Sequence, residues 1–413
     1  MRFAELKELL FARSNFGVKL GLERMREACA LLGNPERGAP ALHVAGTNGK
    51  GSTCAFAEAM LRAAGLRTGL YTSPHLNHFC ERIRLDGRPI AEERACELLE
   101  EVRTGVPWAL GDPGLTFFEI VTLMAFLAFR EVDAMVIEVG LGGRLDATNV
   151  VRPRVCAVSS LGLEHTQYLG PTLAHIAAEK AGIFKPGAPA VTAGQPREAA
   201  EVLDTRAREL GIPLWRPGRD YRFESREGAP FCYAGPAWTV RAEPGLAGHH
   251  QRANAALACA LLETSRLCGP RDAEKGLRSA AWPARLERFG DIYLDGAHNP
   301  HAARALARAI PALFGGRKFN LIFGALRDKD VRGMLDALAP LAREIHYCAP
   351  DSPRAVPPEE LARIYPGRVH PTVAAAIAAA GPAAVCCGSL YLAAEARALL
   401  LGLGRETMPS ERL

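Results

Sequence analysis

The chain has 413 residues, which is too long for one ordinary hydrophobic core and predicts two domains. Its hydrophobic fraction of 48% and charged fraction of 23% are typical of a globular protein and exclude a disordered or fibrous one. A net charge of +5 is mild for this length and comes without a dense run of Lys and Arg. We therefore expect an anionic small substrate and no nucleic-acid partner.

The cysteine pattern and the apolar runs indicate the cellular compartment of the protein. Eleven cysteines occur without a CxxC pair, which favours free thiols in a reducing environment. The first twenty residues lack a continuous apolar stretch and a cleavage signature, so no secretion signal is predicted. The longest apolar run, Val121–Phe129, is too short to cross a membrane. We expect a cytoplasmic protein with no membrane partner.

The first two thirds of the chain predict helices that alternate with apolar strands. The strand Ala41–Ala45, a glycine-rich loop and the helix Thr53–Ala64 form the unit that opens a parallel α/β sheet. All-apolar strands between helices predict a sheet covered on both faces. The other predicted helices are Leu20–Leu32, Phe117–Phe129, Ile176–Ala181 and Gln251–Leu267, and the other predicted strands are Gly69–Thr72, Ala134–Val139, Arg154–Ser159 and Ala188–Thr192.

The sequence pattern changes twice towards the end of the chain. Between Asp220 and Arg241, alternating aromatic-bearing segments broken by Gly and Pro predict a small antiparallel hairpin insert. The helical pattern breaks at Ala280–Arg285, so we divide the chain into domains 1–281 and 282–413. The second domain repeats the α/β alternation and predicts a Rossmann-like fold. Its predicted strands are Asp291–Leu294, Phe319–Phe323, Glu344–Cys348 and Ala384–Cys387, and its predicted helices are Gly333–Ala342, Val373–Ala380 and one that begins at Tyr391.

The loop Ala45–Thr53, A-G-T-N-G-K-G-S-T, predicts a P-loop nucleotide-binding domain. Its glycines aim backbone N–H groups at phosphate oxygens, and Lys50 can reach the terminal phosphates of ATP. The usual G-x-x-x-x-G-K-[ST] pattern fails twice, because Val44 replaces a glycine and Gly51 replaces the magnesium-binding hydroxyl. A glycine turn without a ligand is the alternative. The predicted nucleotide contacts of the loop are Gly46, Thr47, Asn48, Gly49, Lys50, Gly51 and Ser52.

A carboxylate ends the apolar strand that follows the buried helix. Glu138 stands at this position. Mg²⁺ prefers hard oxygen ligands beside phosphates, so Glu138 is a predicted ligand of Mg–ATP. A strand-end Glu that only caps the next turn is the competing interpretation.

A series of blocks between residues 43 and 392 resembles the Mur ligase superfamily and, within it, the folylpolyglutamate and dihydrofolate synthases. The G-K-G-S of the phosphate loop is the first of them. This chain departs from the usual motifs at Glu164, where Asp is common, and at Ala284, where Gly is common. The other blocks are Tyr71–Ile83 with S-P-H-L and E-R-I, Val136–Asn149 with G-L-G-G-R-L-D-A-T-N, Leu163–Ile183 with E-K-A-G-I, His250–Asn254, Pro283–Glu287, Leu294–Pro300 with D-G-A-H-N-P, Phe323–Asp330 and Gly388–Leu392.

The resemblance implies a site that holds two Mg²⁺ ions. It assigns to Ser73 the metal contact that the loop lacks, adds Glu138, and makes His165 a ligand of the second ion. It also implies a carbamylated Lys180, in which a cation has become an anionic oxygen ligand or hydrogen-bond acceptor. The implied catalytic residues are Lys50, His165 and Lys180.

The resemblance also distributes the nucleotide and the acceptor over the two domains. It implies that Asn254 lies near adenine, that Arg285 contacts phosphate, and that Asp295 and His298 lie at the nucleotide. For Phe117 and Phe118, stacking on a substrate and simple packing at the start of a buried helix are equally compatible with the sequence. The implied substrate contacts are His75, Arg82, Phe117, Phe118 and Asp146.

The implied activity is ATP-dependent amide formation. An acceptor carboxylate would be phosphorylated, and the amine of L-glutamate would then displace phosphate. The expected acceptors are dihydropteroate and reduced folates, with use of both favoured over folylpolyglutamate synthesis alone. We expect a monomer that closes around Trp282–Arg285.

Two other interpretations are open. A Mur-type cell-wall ligase would lack Ser73–Leu76 and carry a further N-terminal domain. A non-catalytic nucleotide-binding regulator could lack Glu138, His165 or Lys180, and all three are present.

Overall fold

A parallel sheet organises the first two thirds of the chain. The computed structural model describes residues 2–13, 21–112, 114–224, 226 and 229–403. Within these ranges the first sheet has eight strands, which are β1 (Ala41–Ala45), β2 (Thr68–Tyr71), β3 (Ile83–Leu85), β4 (Arg88–Pro89), β5 (Ala134–Glu138), β6 (Pro153–Val158), β7 (Ala190–Thr192) and β8 (Leu214–Trp215). They lie in the order β4-β3-β2-β5-β1-β6-β7-β8, with β2 to β3 and β3 to β4 antiparallel and the other pairs parallel.

Helices cover both faces of this sheet. The helix that follows β1 is buried along most of its length between the sheet and two later helices. The helix Phe117–Ala128 is mainly apolar, and ten of its twelve residues are buried. The helices of this part are α1 (Phe3–Ala12), α2 (Glu23–Leu31), α3 (Lys50–Ala63), α4 (Glu92–Gly105), α5 (Phe117–Ala128), α6 (Thr166–Leu169), α7 (Leu173–Ala181), α8 (Arg197–Glu209), α9 (His249–Ser265) and α10 (Pro270–Ser279).

A small antiparallel sheet is inserted before α9. It consists of β9 (Arg222–Phe223), β10 (Cys232–Ala234) and β11 (Thr239–Arg241), with β10 in the middle. The expected hairpin is therefore a three-stranded sheet. Its aromatic side chains pack into the core that contains α3 and α9.

The last third of the chain forms a second α/β unit around its own sheet. Its strands are β12 (Arg285–Phe289), β13 (Ile292–Asp295), β14 (Phe319–Phe323), β15 (Ala342–Tyr347), β16 (Arg368–Val369) and β17 (Ala384–Cys387). They lie in the order β12-β13-β17-β14-β15-β16, and only the β12–β13 pair of this sheet is antiparallel in the described chain. Its helices are α11 (Pro300–Leu313), α12 (Val331–Leu338), α13 (Pro358–Ile364), α14 (Val373–Ala380) and α15 (Leu390–Leu401).

The predicted fold class is confirmed, and several element bounds are corrected. The helix expected from Thr53 begins at Lys50, so the end of the phosphate loop is the first turn of α3. The helix expected over Leu20–Leu32 spans Glu23–Leu31, and Leu20 lies outside the described residues. The helix expected to end at Ala342 ends at Leu338, just before Pro340.

The predicted boundary between residues 281 and 282 lies in the connection from α10 to β12, and we keep it as a proposed hinge. Among the described residues, no helix is both long and apolar enough to cross a membrane.

Candidate active site

A cleft of about 420 Å³ lies between the carboxyl ends of the two sheets. One wall consists of the loops after β1, β2 and β5, and the other of the loops after β13, β14 and β17. Ligands of parallel α/β sheets bind at this edge. The sequence-predicted residues that line the cleft are Gly46, Thr47, Asn48, Gly49, Lys50, Gly51, Ser73, His75, Arg82, Phe117, Phe118, Glu138, Asp146, His165, Lys180, Arg285 and His298.

Two glycines give the phosphate loop its shape. Gly46 has φ 152° and Gly49 has φ 88°, values that L side chains rarely adopt. A Cβ at Gly46 would lie 1.8 Å from Ser159 Oγ, and one at Gly49 would lie 2.3 Å from Asn254 Oδ1. Because α3 begins at Lys50, its first N–H groups lack partners within the helix and face the cleft with a partial positive charge. The loop is therefore an anion site.

Part of the loop is anchored rather than directed at a ligand. The N–H groups of Thr47 and Asn48 donate to the Ser160 carbonyl oxygen at 3.0 and 3.1 Å. Thr47 Oγ1 donates to the Gly162 carbonyl at 3.1 Å, and Lys50 Nζ donates to the Thr47 carbonyl at 3.2 Å. The backbone amides available to phosphate are therefore those from Gly49 onwards.

Gly51 leaves room for an indole ring. A Cβ built at Gly51 would lie 3.1 Å from Trp282 Nε1 and 3.7 Å from Glu138 Oε2. The Arg84 guanidinium lies over the Trp282 ring, with Cζ 4.9 Å from the ring centroid. Gly51, which breaks the common loop pattern, is thus the residue of the phosphate loop that packs against Trp282 of the proposed hinge.

Ser73 and Glu138, both predicted metal ligands, lie together at the ends of adjacent strands. The Ser73 N–H donates to Glu138 Oε2 at 3.2 Å. Burial raises the pKa of the Glu138 carboxyl, while Lys50, the Ser73 N–H and Arg285 favour its charged form. No group of three His, Cys, Asp or Glu in the described chain has metal-binding spacing. The pair fits Mg²⁺, which commonly takes one or two carboxylates and completes its shell with phosphate oxygens and water.

His165 faces the same cleft from the loop before α6. Its backbone is left-handed, with φ 51°. Burial lowers the pKa of the imidazole to about 4, against the opposing effect of Glu164. The ring is neutral near pH 7, as a metal ligand must be.

Lys180 has the environment of a reactive amine. Its side chain is buried, with Nζ 3.5 Å from the Gly142 carbonyl oxygen. Burial and, to a lesser degree, the charge of nearby Lys50 lower the pKa of the ammonium to about 7. A neutral amine can add CO₂, so these surroundings fit the predicted carbamate, which stays a prediction.

The predicted acceptor contacts on this wall are three buried side chains and one half-buried side chain, Phe118. Arg82 Nε donates to His75 Nδ1 at 2.8 Å, and its guanidinium lies 5.0 Å above the Phe117 ring. All three side chains are at most 4% exposed, so they shape the wall. Phe118 is half-buried against Gly140, where a Cβ would come within 2.5 Å of its ring. The geometry favours packing for Phe117 and stacking on a ligand for Phe118.

Asp146 holds the loop that follows β5. Its Oδ1 accepts from the N–H and hydroxyl of Thr148 at 3.0 and 2.5 Å, and its Oδ2 accepts from the Leu141 N–H at 2.9 Å. Burial raises the pKa of the carboxyl, although these hydrogen bonds favour the charged form. Asp146 therefore shapes the cleft chiefly by fixing this loop.

Three predicted nucleotide contacts lie behind the lining. Asn254 packs under Gly49 and donates to Gln251 Oε1 at 2.9 Å. Ser52 is buried at the start of α3. Asp295 accepts from the N–H groups of Leu286 and Ala297 at 3.0 and 2.9 Å, which fixes the turn beside Arg285. These positions support the site from behind its surface.

The Ala284 departure is accommodated without glycine. Ala284 has φ 52°, the left-handed conformation in which the related motif carries Gly. Its carbonyl accepts from Arg285 Nη1 at 2.8 Å and from the Gly296 N–H at 2.9 Å. The turn is kept and Arg285 reaches the cleft.

Sequence reasoning missed a polar group on the C-terminal wall. Arg354 Nη1 lies 3.7 Å from Asp328 Oδ1, and its Cζ lies 6.0 Å from the Tyr391 ring centroid. Lys329 Nζ lies 3.2 Å from Glu164 Oε1 across the cleft. Asp328, Lys329 and Tyr391 stand in motifs that had no role assigned, whereas Arg354 lies outside every motif and carried no signal.

Comparison with known proteins decides the family. The Mur ligase middle domain matches residues 44–262, and the Mur ligase, glutamate ligase domain matches residues 284–390. The chain is 39% identical over 376 residues to the dihydrofolate synthase/folylpolyglutamate synthase of Bacillus subtilis, an alignment that covers 86% of each protein. The chain belongs to the Mur ligase family. The predicted resemblance is confirmed.

Solved structures of this Mur ligase group share the whole fold. Escherichia coli FolC in complex with DHPP and ADP matches with a TM-score of 0.89 at 33% identity, over 97% of this chain and 98% of that one. A bifunctional folylpolyglutamate synthase/dihydrofolate synthase with Mn, AMPPNP and L-glutamate bound matches with a TM-score of 0.82 at 36% identity, over 93% and 95%. The two-domain arrangement is therefore that of the family.

Proposed function

We propose that this protein is an ATP-dependent ligase that joins L-glutamate to dihydropteroate and to reduced folates through an amide bond. The observation that carries the proposal is the cleft in which the phosphate loop and the Ser73–Glu138 pair face the C-terminal wall. Supporting it, the Bacillus relative is named for both activities, and the E. coli relative holds DHPP and ADP.

The N-terminal wall is suited to activating a carboxylate. The amides that begin at Gly49 and the ammonium of Lys50 would bind the nucleotide phosphates, and Arg285 would approach them from the other domain. Ser73 and Glu138 would hold Mg²⁺, with His165 at a second ion, and the metal would supply charge neutralisation at the phosphates. A carboxylate oxygen of the acceptor takes the γ-phosphoryl group and ADP leaves. Carboxylates are poor electrophiles, and the acyl phosphate has a good leaving group.

The C-terminal wall is suited to L-glutamate. Arg354 offers a cation for a carboxylate, and Asp328 beside it offers an acceptor for an ammonium. The amine attacks the acyl carbon, the amide forms and phosphate leaves. Water exclusion by closure would protect the acyl phosphate from hydrolysis.

Several finer points belong to the same proposal. We propose use of both acceptors rather than folylpolyglutamate synthesis alone, since the Bacillus relative and the structure with L-glutamate bound carry both names. A carbamate on Lys180, a monomeric state and a cytoplasmic location stay predictions. The eleven cysteines are unpaired, as a reducing compartment favours.

The test is incorporation of labelled L-glutamate with dihydropteroate and tetrahydrofolate offered in parallel. We expect amide product and ADP in equal amounts with each acceptor, and neither product after chelation of divalent metal. Product with tetrahydrofolate alone would reduce the assignment to a folylpolyglutamate synthase. No product with either acceptor would contradict the proposed function.

A further inference from the structure

The hydrogen-bonding groups of Asn48 are engaged with other residues of the protein. Its backbone N–H donates to the Ser160 carbonyl, and its own carbonyl accepts from Ser159 Oγ at 2.8 Å. Its side-chain Nδ2 lies 3.1 Å from Asn299 Oδ1 and 2.8 Å from His301 Nδ1. Both residues belong to the C-terminal domain. No N–H of Asn48 is left for a phosphate oxygen, although the residue stands in the centre of the phosphate loop.

The hydrogen bonds of Asn299 determine the orientation of both amides. Asn299 caps α11, because its Oδ1 accepts from the Ala302 N–H at 2.8 Å. Its Nδ2 must then be the donor to Glu164 Oε2 at 2.8 Å and to Asn48 Oδ1 at 3.1 Å. A carboxylate can only accept, so this assignment is consistent at both ends. Asn48 and Asn299 therefore form a reciprocal pair between the domains.

His301, in the first turn of α11, completes the contact. Since Asn48 Nδ2 donates, His301 Nδ1 accepts and the proton of the neutral ring is on Nε2, 3.4 Å from Ser160 Oγ. The ring packs on Gly162, where a Cβ would come within 3.2 Å of Cγ. The N-terminal partners of His301 are thus the loop after β1 and the loop after β6.

Glu164 extends the same contact towards the cleft. Its Oε1 lies 3.2 Å from both His298 Nε2 and Lys329 Nζ. The carboxylate is 8% exposed and belongs to the N-terminal domain, whereas its partners belong to the other one. Removing either side would leave buried polar groups without partners, which is costly.

We propose that Asn48 is a positioning residue that latches the C-terminal domain onto the phosphate loop, through Asn299 and His301, when the enzyme closes for reaction. The inference rests on the proposed ligase function for its kinetic readout alone. The latch connects the loop at the nucleotide phosphates with the domain that carries Arg285 and the wall with Arg354. Its loss should impair the reacting closed state more than nucleotide binding to the loop.

Two variants, Asn299→Asp and His301→Leu, are designed to keep the local fold and remove the latch, and a third, His301→Asn, is designed to retain it. Asn299→Asp retains the oxygen that caps α11 but places a carboxylate beside Glu164 and beside Asn48 Oδ1. His301→Leu removes the acceptor, whereas His301→Asn keeps an acceptor near the position of Nδ1. Arg308→Ala is the matched control, because Arg308 is exposed on the same helix.

The kinetic result expected is a fall in kcat with an almost unchanged affinity for ADP. We expect His301→Leu to lower kcat about threefold to tenfold, as for one lost hydrogen bond, and Asn299→Asp to lower it more than about tenfold because like charges are brought together. The Kd of ADP, measured by calorimetry, should change less than about twofold. His301→Asn should recover most of the lost activity, and a combined Asn48→Ala and His301→Leu variant should cost no more than the worse single change.

The structural readout does not depend on catalysis. Small-angle scattering of the ADP complex should show a larger radius of gyration for Asn299→Asp and His301→Leu than for the wild type, His301→Asn and Arg308→Ala. Unchanged radii and unchanged kcat would overturn the latch. So would an Asn48→Ala variant that loses ADP affinity while the His301 and Asn299 variants behave as wild type, since Asn48 would then be a phosphate ligand. An inactive wild type with the expected radii would refute the ligase function and keep the latch.

Discussion

At Ser73 the backbone and the side chain serve different partners. The N–H is bound to Glu138, which leaves the hydroxyl as the group that can contact a metal beside the phosphates. We expect Ser73→Ala to lower ATP-dependent activity at limiting Mg²⁺ by roughly tenfold to a hundredfold, the range typical of a weakened metal site. A magnesium titration of glutamate incorporation measures the effect. Ser279→Ala, at an exposed serine, is the control. An unchanged magnesium dependence in Ser73→Ala would show that this hydroxyl is not a ligand.

The lowered pKa of Lys180 gives a prediction with a definite sign. A lysine whose folded pKa is about 7 becomes neutral as the pH rises through that value, and only the neutral amine adds CO₂. We expect the carbamate, followed by carbon NMR with labelled bicarbonate, to be present at about pH 8 and mostly absent at about pH 6. Lys180→Arg should show no such signal at either pH. An active wild type without a carbamate signal at the higher pH would exclude the modification.

At the scale of elements, the packing of α3 depends on a close crossing with α10 at Gly276. A Cβ built at Gly276 would lie 2.4 Å from Met60 Cα and 2.5 Å from Met60 N, which are backbone atoms that cannot turn aside. Alanine normally gains about 0.5–1 kcal/mol over glycine within a helix, but the overlap should outweigh this gain. We expect Gly276→Ala to lower the free energy of unfolding by about 1–3 kcal/mol in urea titrations. Gly194→Ala, at an exposed position where the Cβ meets only Pro217 Cγ at 3.9 Å, should change it by less than about 0.5 kcal/mol. Equal effects in the two variants would contradict the crossing argument.

The elements that could be predicted from the sequence are those with a strong local pattern. β1, β5 and β14 are short, mainly apolar and fully buried runs, and each was expected at or within one residue of its bounds. The strand β12 was missed because Pro283 and the motif after it suggested a break, whereas its pairing with β13 is a long-range property. The helix α11 was missed for a related reason, since Asn299 caps it directly after a conspicuous motif.

The distinction between local sequence patterns and long-range packing also holds for the site. Ser73 was assigned to the metal by the family resemblance of its motif, and Glu138 by the same resemblance and by its place at the end of an apolar strand. Arg354 could not be found, because its place in the cleft depends on the packing of the C-terminal unit rather than on local sequence. The role of Asn48 was assigned from its place in the loop, but its hydrogen bonds are decided by a domain more than 200 residues away in the chain.

At the scale of the whole molecule, the two sheets present their carboxyl ends to one another. Each edge carries a different set of groups, with the phosphate loop on one side and Arg354 on the other. Closure therefore joins two half-sites into a complete site that neither unit contains alone. The contacts of Glu164 with His298 and Lys329 place the two walls at hydrogen-bond distance in this structure. Alignment of reactants is the main contribution such a site can make to the rate.

The indole of Trp282 on Gly51 has a consequence for how such a protein can change over time. Gly51→Ser would restore the hydroxyl of the common loop pattern, but its Cβ would lie 3.1 Å from Trp282 Nε1, and the same ring also carries the Arg84 guanidinium over its face. The side chain that position 51 can carry is thus coupled to Trp282, a residue of the interdomain connection. The phosphate loop is therefore constrained by a residue more than 200 positions later in the chain, so that a change in the loop and a change in the interdomain connection are best considered together.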